Sequence, residues 1–221
     1  MNIKAVIFDM DGVIFDSERC CLNIWKELAA AASLEDIETN FQKCIGTTVP
    51  VTKKILSDCY GDRIDPDAYM AESSRLFHER YDNGKLPLLP YAEEILSFLK
   101  ESGYLLGLAS STREATVRLQ LGNAGLLHYF DTVTCGDMLK KSKPEPDIYL
   151  MACAATGVEP KEAVAIEDSY NGIRSAHAAG MIPVMVPDLI PADEEMRALS
   201  YRIFPDLKAA LDFFKELNPP R

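Results

Sequence analysis

The stretch Ile3-Lys4-Ala5-Val6-Ile7-Phe8-Asp9-Met10-Asp11-Gly12-Val13-Ile14-Phe15-Asp16 constrains the fold more than any other part of the chain. Ala5 to Phe8 is a short apolar run of β-forming residues, long enough for a buried strand. It is cut off by two carboxylates, Asp9 and Asp11, and then by Gly12. Parallel α/β sheets place ligands at the carboxyl ends of their strands, so the two acids are expected at a site. Gly12 is expected to let the chain turn sharply there, in a conformation that most residues resist.

The rest of the chain has two characters. Asp16 or Ser17 can cap a helix that carries Cys21, Ile24, Trp25, Leu28 and Ala32 on one face. Helical patterns continue over 48–60 and from Pro66 to Tyr81, with breaks at Gly61-Asp62 and Asn83-Gly84. Beyond Lys85-Leu86-Pro87-Leu88-Leu89-Pro90, helices and strands alternate. Strands are expected at 105–109, 132–135, 163–166 and 183–186, with a possible edge strand at 201–204. Helices are expected around Leu96, Val117, Leu150, Ile173 and Leu211. The β-α order implies an α/β fold, a parallel Rossmann-like sheet with helices on both faces. An all-helical cap over 16–83 is inserted after the first strand, and 1–15 with 84–221 form the discontinuous core.

Composition bounds the partners. The chain has 221 residues, 48% of them hydrophobic, which is enough for one core and a small accessory domain. A formal net charge of −11 argues against nucleic acid and against an anionic membrane surface. Six cysteines show neither CxxC nor metal-ligand spacing, so free thiols in a reducing cytosol are expected. The apolar run at the start is interrupted by Asp9 and has no basic segment before it, unlike a signal peptide. A cytoplasmic protein, monomeric by default, is the expectation.

In a parallel sheet, the groups that come after each strand share one rim. Here these are Asp9 and Asp11, then Ser110 with Ser111, then the loop of Lys143, then Glu167 and Asp168. Four carboxylates cannot stay ionised together without a cation. Their oxygen donors suit a hard ion such as Mg²⁺, and the ion with Lys143 would leave room for a phosphoryl dianion. An aspartate can attack phosphorus, and a second carboxyl two residues away can move the proton.

Asp9-x-Asp11-Gly12-x-x-x-Asp16-Ser17, Ser110, Lys143-Pro144 and Glu167-Asp168-Ser169-x-x-Gly172 resemble the four motifs of the haloacid dehalogenase-like (HAD) superfamily. Their order and spacing are similar to the helical-cap branch that includes β-phosphoglucomutase and many small-molecule phosphatases. The resemblance implies Asp9 as nucleophile and Asp11 as general acid/base. It also implies that Asp9, the Asp11 backbone carbonyl and Asp168 ligate Mg²⁺, with Glu167 near the metal directly or through water. Ser110 and Lys143 would hold the phosphoryl group, and Ser111 and Asn171 are further candidate substrate contacts. Selectivity is expected in the cap, around Cys21, Trp25, Thr47, Thr48 and Phe77.

Within that family, Asp11 disfavours dehalogenation and phosphonate cleavage, although Lys53 and Lys54 in the cap leave the latter open. A phosphomutase is the closer rival. β-Phosphoglucomutases carry a histidine where this chain has Cys21, and a basic cap loop where it has uncharged Gly46-Thr47-Thr48-Val49-Pro50. Hydrolysis of a small phosphorylated metabolite is therefore the expected reaction. A signalling receiver domain would be about half this length and lack the helical insert, and a non-catalytic binding protein would not need every catalytic position filled.

Overall fold

In the computed structural model, which describes residues 2–217, a parallel sheet is wrapped by helices and carries a helical insertion above one edge. The strands are β1 Ala5–Phe8, β2 Leu105–Ser110, β3 Thr132–Cys135, β4 Ala163–Glu167, β5 Ile182–Met185 and β6 Arg202–Ile203. Among the described residues they lie in the order β3-β2-β1-β4-β5-β6, and all pairs are parallel. β1 is thus central, and strand order reverses around it, which is where open α/β sheets bind ligands. Met1 and 218–221, assigned to the core from the sequence, lie outside the described residues.

The helices are α1 Ser17–Ala31, α2 Ile37–Gln42, α3 Val49–Tyr60, α4 Pro66–Tyr81, α5 Ala92–Glu101, α6 Glu114–Asn123, α7 Asp147–Thr156, α8 Tyr170–Ala178, α9 Glu194–Leu199 and α10 Leu207–Leu217. Side chains alternate across a strand, and β1 shows the consequence. Val6 and Phe8 enter a cluster with Ile95, Leu96, Val117 and Phe214 of α5, α6 and α10. Ala5 and Ile7 face the other way, onto Tyr149, Ala152 and Ala176 of α7 and α8. Both faces of the sheet are therefore covered, as its unbroken apolar strands require.

Helices α1 to α4 build a separate cluster. Trp25 lies edge-on to Phe41 and Tyr69, with ring centroids 5.0 and 5.4 Å apart, and Tyr69 Oη donates to the Trp25 carbonyl at 2.8 Å. The sequence placed Trp25 among the selectivity residues. It is instead only 4% exposed and absent from the lining of the site cavity, filling the interior of the insertion. A helical face read from periodicity cannot distinguish an interior contact from a cavity wall.

Two antiparallel connections join the insertion to the sheet. Leu89 N donates to Ile14 O and Asp16 N to Pro87 O, both at 2.9 Å, around a bridge between Phe15 and Leu88. The expected edge strand at 201–204 is the short β6. The six-residue helices α2 and α9 were not legible, being too short and polar for a period of 3.6 to register. No helix among the described residues is long and apolar enough to cross a membrane.

Candidate active site

β1 and β4 are in register at Phe8 and Ile166, so the next residues, Asp9 and Glu167, emerge side by side. Lys143, from the loop before α7, reaches both. Its Nζ donates to Asp9 Oδ1 at 2.5 Å, to Glu167 Oε1 at 2.6 Å and to the Ala109 carbonyl at 3.1 Å. Burial alone would lower the lysine's pKa, but the two carboxylates and their hydrogen bonds raise it above the usual value. The ammonium is a fixed charge.

Asp9, Glu167 and Asp168 are buried and can each present an oxygen within 4.8 Å of the others. One lysine cannot balance three acids. Burial pushes Asp9 up to about 8, with Glu167 and Asp11 adding to the shift and Lys143 opposing it. Asp168 is raised well above its ordinary value by burial, and then by Glu167 and Asp9. Buried carboxylates in excess of their cations, all with oxygen donors, fit a hard divalent ion.

Glu167 is the most heavily bonded of the three. Oε1 accepts from Lys143 and, at 2.8 Å, from Tyr149 Oη; Oε2 accepts from Ser169 Oγ at 3.0 Å and Ser169 N at 3.3 Å. The helix α8 comes so close beneath it that a Cβ at Gly172 would lie 1.9 Å from the Glu167 carboxylate. Gly12, at φ +73°, answers a similar demand, since a Cβ there would lie 2.4 Å from Asp168 Oδ2.

Asp11 stands apart from the lysine and is held by hydroxyls. Ser17 Oγ donates to Oδ1 at 2.8 Å and Thr112 Oγ1 to Oδ2 at 2.9 Å. Ser17, considered from the sequence as a helix cap, thus serves the carboxyl of Asp11. Asp16, the other capping candidate, makes no side-chain cap bond. Ser110 is fully buried behind the cavity, and its Oγ accepts from Thr112 N at 3.1 Å, leaving its proton free to donate. Ser111 and Thr112 line the opening.

The cavity over these groups has a volume of about 520 Å³. Its floor includes Asp9, Asp11, Ser111, Lys143 and Asp168, and the insertion supplies Glu18, Cys21, Thr47, Thr48 and Phe77. Asn171 lines it too, and its Nδ2 donates to the Gly46 carbonyl across the junction between sheet and insertion, while Oδ1 accepts from Arg174 at 3.0 Å. Lys143 is the only cation among the described lining residues. Lys53 and Lys54 pair with Asp67 and Asp58 away from it. His78, His128 and His177 are bonded to Asp82, Gly125 and Leu199, also outside the site. All six cysteines are free.

The sequence brought Asp9, Asp11, Ser110, Ser111, Lys143, Glu167, Asp168 and Asn171 to this rim, and the structure gathers them there. It missed Thr112, Tyr149 and Glu18. Thr112 comes after two serines in a turn, Tyr149 sits on an apolar helix, and Glu18 looks like an ordinary acidic residue of a first helical turn.

A parallel Rossmann-like sheet thus carries a lysine-bound acidic cluster at its central strand end, beneath a helical insertion, where open α/β sheets bind their ligands. The sequence model of the family described as haloacid dehalogenase-like hydrolase matches residues 6–186. The chain belongs to that family. It is 32% identical over 222 residues to Protein CbbY of Rhodobacter capsulatus, covering 95% of this chain and 96% of the relative. It is 30% identical to the phosphorylated carbohydrates phosphatase of Thermotoga maritima, covering 81% and 82%. Among solved structures, a putative β-phosphoglucomutase from Thermotoga maritima superposes with a TM-score of 0.78 at 26% identity, covering 97% of this chain and all of that one.

Proposed function

We propose that the protein is a Mg²⁺-dependent phosphatase that hydrolyses the phosphate monoester of a small organic alcohol through an aspartyl phosphate on Asp9. The observation that carries this reading is the pairing of two differently held carboxyls on one short turn. Asp9 is locked against Lys143 through Oδ1, which orients the other oxygen, Oδ2, for attack. Asp11 is suspended between two hydroxyls in the cavity floor. A nucleophile must be held in one orientation, and a proton carrier must stand fixed within reach of the oxygens it serves.

In the first step, an Asp9 oxygen forms a bond to phosphorus as the ester P–O bond breaks, and Asp11 gives its proton to the departing alcohol oxygen. In the second, Asp11 takes a proton from a water that attacks phosphorus, releasing inorganic phosphate and restoring the Asp9 carboxylate. Lys143 neutralises charge on the phosphoryl oxygens, and Ser110 can donate to one of them. Asp9, Asp168 and the Asp11 backbone carbonyl would hold Mg²⁺, which when bound supplies the remaining countercharge. Glu167, with both oxygens engaged, holds Lys143 and Ser169 in place. The insertion over 16–83 acts as the cap, and the phosphorylated carbohydrates named for a relative indicate the size of substrate that fits beneath it.

A mutase must retain a bisphosphate while its substrate turns over. The cap side of this cavity offers Cys21 and uncharged Thr47 and Thr48 and no cation for a second phosphate. The test is phosphate release from p-nitrophenyl phosphate and a panel of phosphorylated metabolites with Mg²⁺. Release abolished by chelator is expected. Absence of release, or bisphosphate-primed isomerisation of a glucose 1-phosphate, would overturn the reading.

A further inference from the structure

A second cavity lies against the first. Its volume is about 490 Å³, close to that of the catalytic one, and the two share Thr47 and Asn171 as a common wall. It follows the seam between sheet and insertion. Thr39, Gln42 and Lys43 come from α2 and its C-terminal end, and Tyr170 and Arg174 from α8. The loop after β5 closes the remaining side with Leu189, Ile190 and Pro191. Leu189 also packs against the cluster inside the insertion, so this loop touches both parts.

The charges of the two cavities are opposite. The catalytic one is lined by Asp9, Asp11, Glu18 and Asp168 against one lysine. The second is lined by two cations, Lys43 and Arg174, and by no acid among the described residues, in a chain of net charge −11. Arg174 is fixed in the wall: it pairs with Glu195, donates from Nη1 to Asn171 Oδ1 at 3.0 Å and lies over the Tyr170 ring at 5.9 Å. Lys43 is held differently. Its Nζ donates to the neutral Asn40 Oδ1 at 2.8 Å, and no described carboxylate pairs with it. An ammonium with protons to spare, in one cavity with a guanidinium that has N–H groups left over, suits an oxyanion. Ile45 and the Leu189-Ile190-Pro191 wall give the rest of such a ligand an apolar surface.

We infer that this seam cavity is a second binding site, for a small organic anion whose carboxylate or phosphate-type head is held by Lys43 and Arg174. The uncharged body of the ligand lies on the apolar wall. Such a ligand meets residues of the insertion and of the sheet at once, so it binds while the two are seated together. A ligand that selects the seated arrangement stabilises it. Thr47 and the Asn171–Gly46 contact stand between the two cavities, so occupancy of the second holds the cover over the first. The anion acts as an effector that lowers KM without entering the catalytic cavity. Binding at the seam is independent of the phosphatase reading, and only its effect on KM rests on it.

The experiment titrates benzoate and, separately, phenylphosphonate into the Mg²⁺-loaded full chain by calorimetry, as wild type, Lys43→Ala and Lys43→Arg. The two probes separate a carboxylate head from a phosphate-type one, and neither is a phosphate ester. Lys43 is exposed and lies outside the catalytic cavity, so both variants should keep the wild-type melt and the wild-type turnover of p-nitrophenyl phosphate without added anion. Saturable binding of at least one probe to wild type is expected. Lys43→Ala should weaken it about 10- to 100-fold, the scale of a lost hydrogen bond to a charged group, and Lys43→Arg should largely keep it. With the probe bound, amides over 42–47 should exchange more slowly, and KM should fall about fivefold in wild type but not in Lys43→Ala. No binding of either probe, or binding of equal strength in Lys43→Ala, would overturn the inference. So would purely competitive inhibition by both probes, the signature of an anion in the catalytic cavity. Lys43-dependent binding with unchanged KM would overturn the effector role. Lys43-dependent binding to a wild type that releases no phosphate would overturn the phosphatase reading alone.

Discussion

Ser17 Oγ donates to Asp11 Oδ1 at 2.8 Å, so the first residue of the helix that leaves the sheet holds the carboxyl assigned to move the proton. Thr112, from the loop after β2, holds the other oxygen. The proton carrier is thereby oriented from both sides of the junction between sheet and insertion. Thr112→Val keeps the shape and removes the donor. It is expected to lower kcat about tenfold with little change in KM, and Ser17→Ala to act in the same direction; steady-state kinetics on p-nitrophenyl phosphate measure both. A change confined to KM would show that Asp11 is not oriented by these hydroxyls.

Asn171 ties the sheet to the insertion through the Gly46 carbonyl and is itself braced by Arg174, which pairs with Glu195 at 2.5 Å. Asn171→Ala should loosen the cover. We expect KM to rise about 3- to 10-fold, in keeping with one lost hydrogen bond. Backbone amides over 44–49 should exchange faster by hydrogen–deuterium exchange, while those of β1 keep their protection. Unchanged exchange over 44–49 would show that this contact does not hold the cover.

How much of this was legible depends on where each residue sits. Asp9, Asp11, Ser110 and the Glu167-Asp168 pair come at or directly after short apolar runs, and a parallel sheet carries every such end to one rim. Lys143 was placed by the same order of elements. Tyr149 was illegible because its neighbours Ile148, Ala152 and Cys153 make α7 read as plain core, and only the fold brings its hydroxyl under Glu167. Trp25 was misjudged for the converse reason, as the helix face it shares with Cys21 serves the interior of the insertion at one position and the cavity at the other. Glu167 reads as a residue just past its strand and is instead the last residue of β4.

Tyr149 supplies one of the donors that satisfy the fully buried Glu167. Its own proton is firmly held, since burial and then Glu167 raise its pKa well above the ordinary value. Tyr149→Phe leaves that acceptor short of a partner and is expected to destabilise the fold by about 1.5–3 kcal/mol. For a chain of this size that lowers Tm by about 2–4 °C per kcal/mol, readable by calorimetry. Because Glu167 also accepts from Lys143, kcat should fall as well. A Tm equal to that of wild type would remove Tyr149 from the supporting network.

Stability of the metal-free protein should depend on pH in a defined direction. Asp9 and Glu18 are raised from ordinary values of 3.8 and 4.5 to about 8, first by burial. A carboxyl raised in the folded state contributes stability that is complete below its unfolded pKa and is lost as pH rises through the folded one. Metal-free Tm should therefore fall between about pH 5 and pH 9. The raised pKa of Lys143 acts above this window. Mg²⁺ offsets the charge that builds up on Asp9, so its stabilising effect should be larger near pH 8 than near pH 6. A Mg²⁺ effect on Tm that is the same at both would contradict the acidic cluster as the metal site.

The central claim is that Asp9 attacks phosphorus. Asp9→Asn keeps the size of the side chain and an oxygen for Lys143 to bond, but removes the nucleophile. Its direct test is Mg²⁺-dependent phosphate release from p-nitrophenyl phosphate, with folding of the variant checked by its thermal melt. A loss of at least about a thousandfold in kcat is expected, the scale seen when a covalent nucleophile is removed. Release within tenfold of wild type would contradict it.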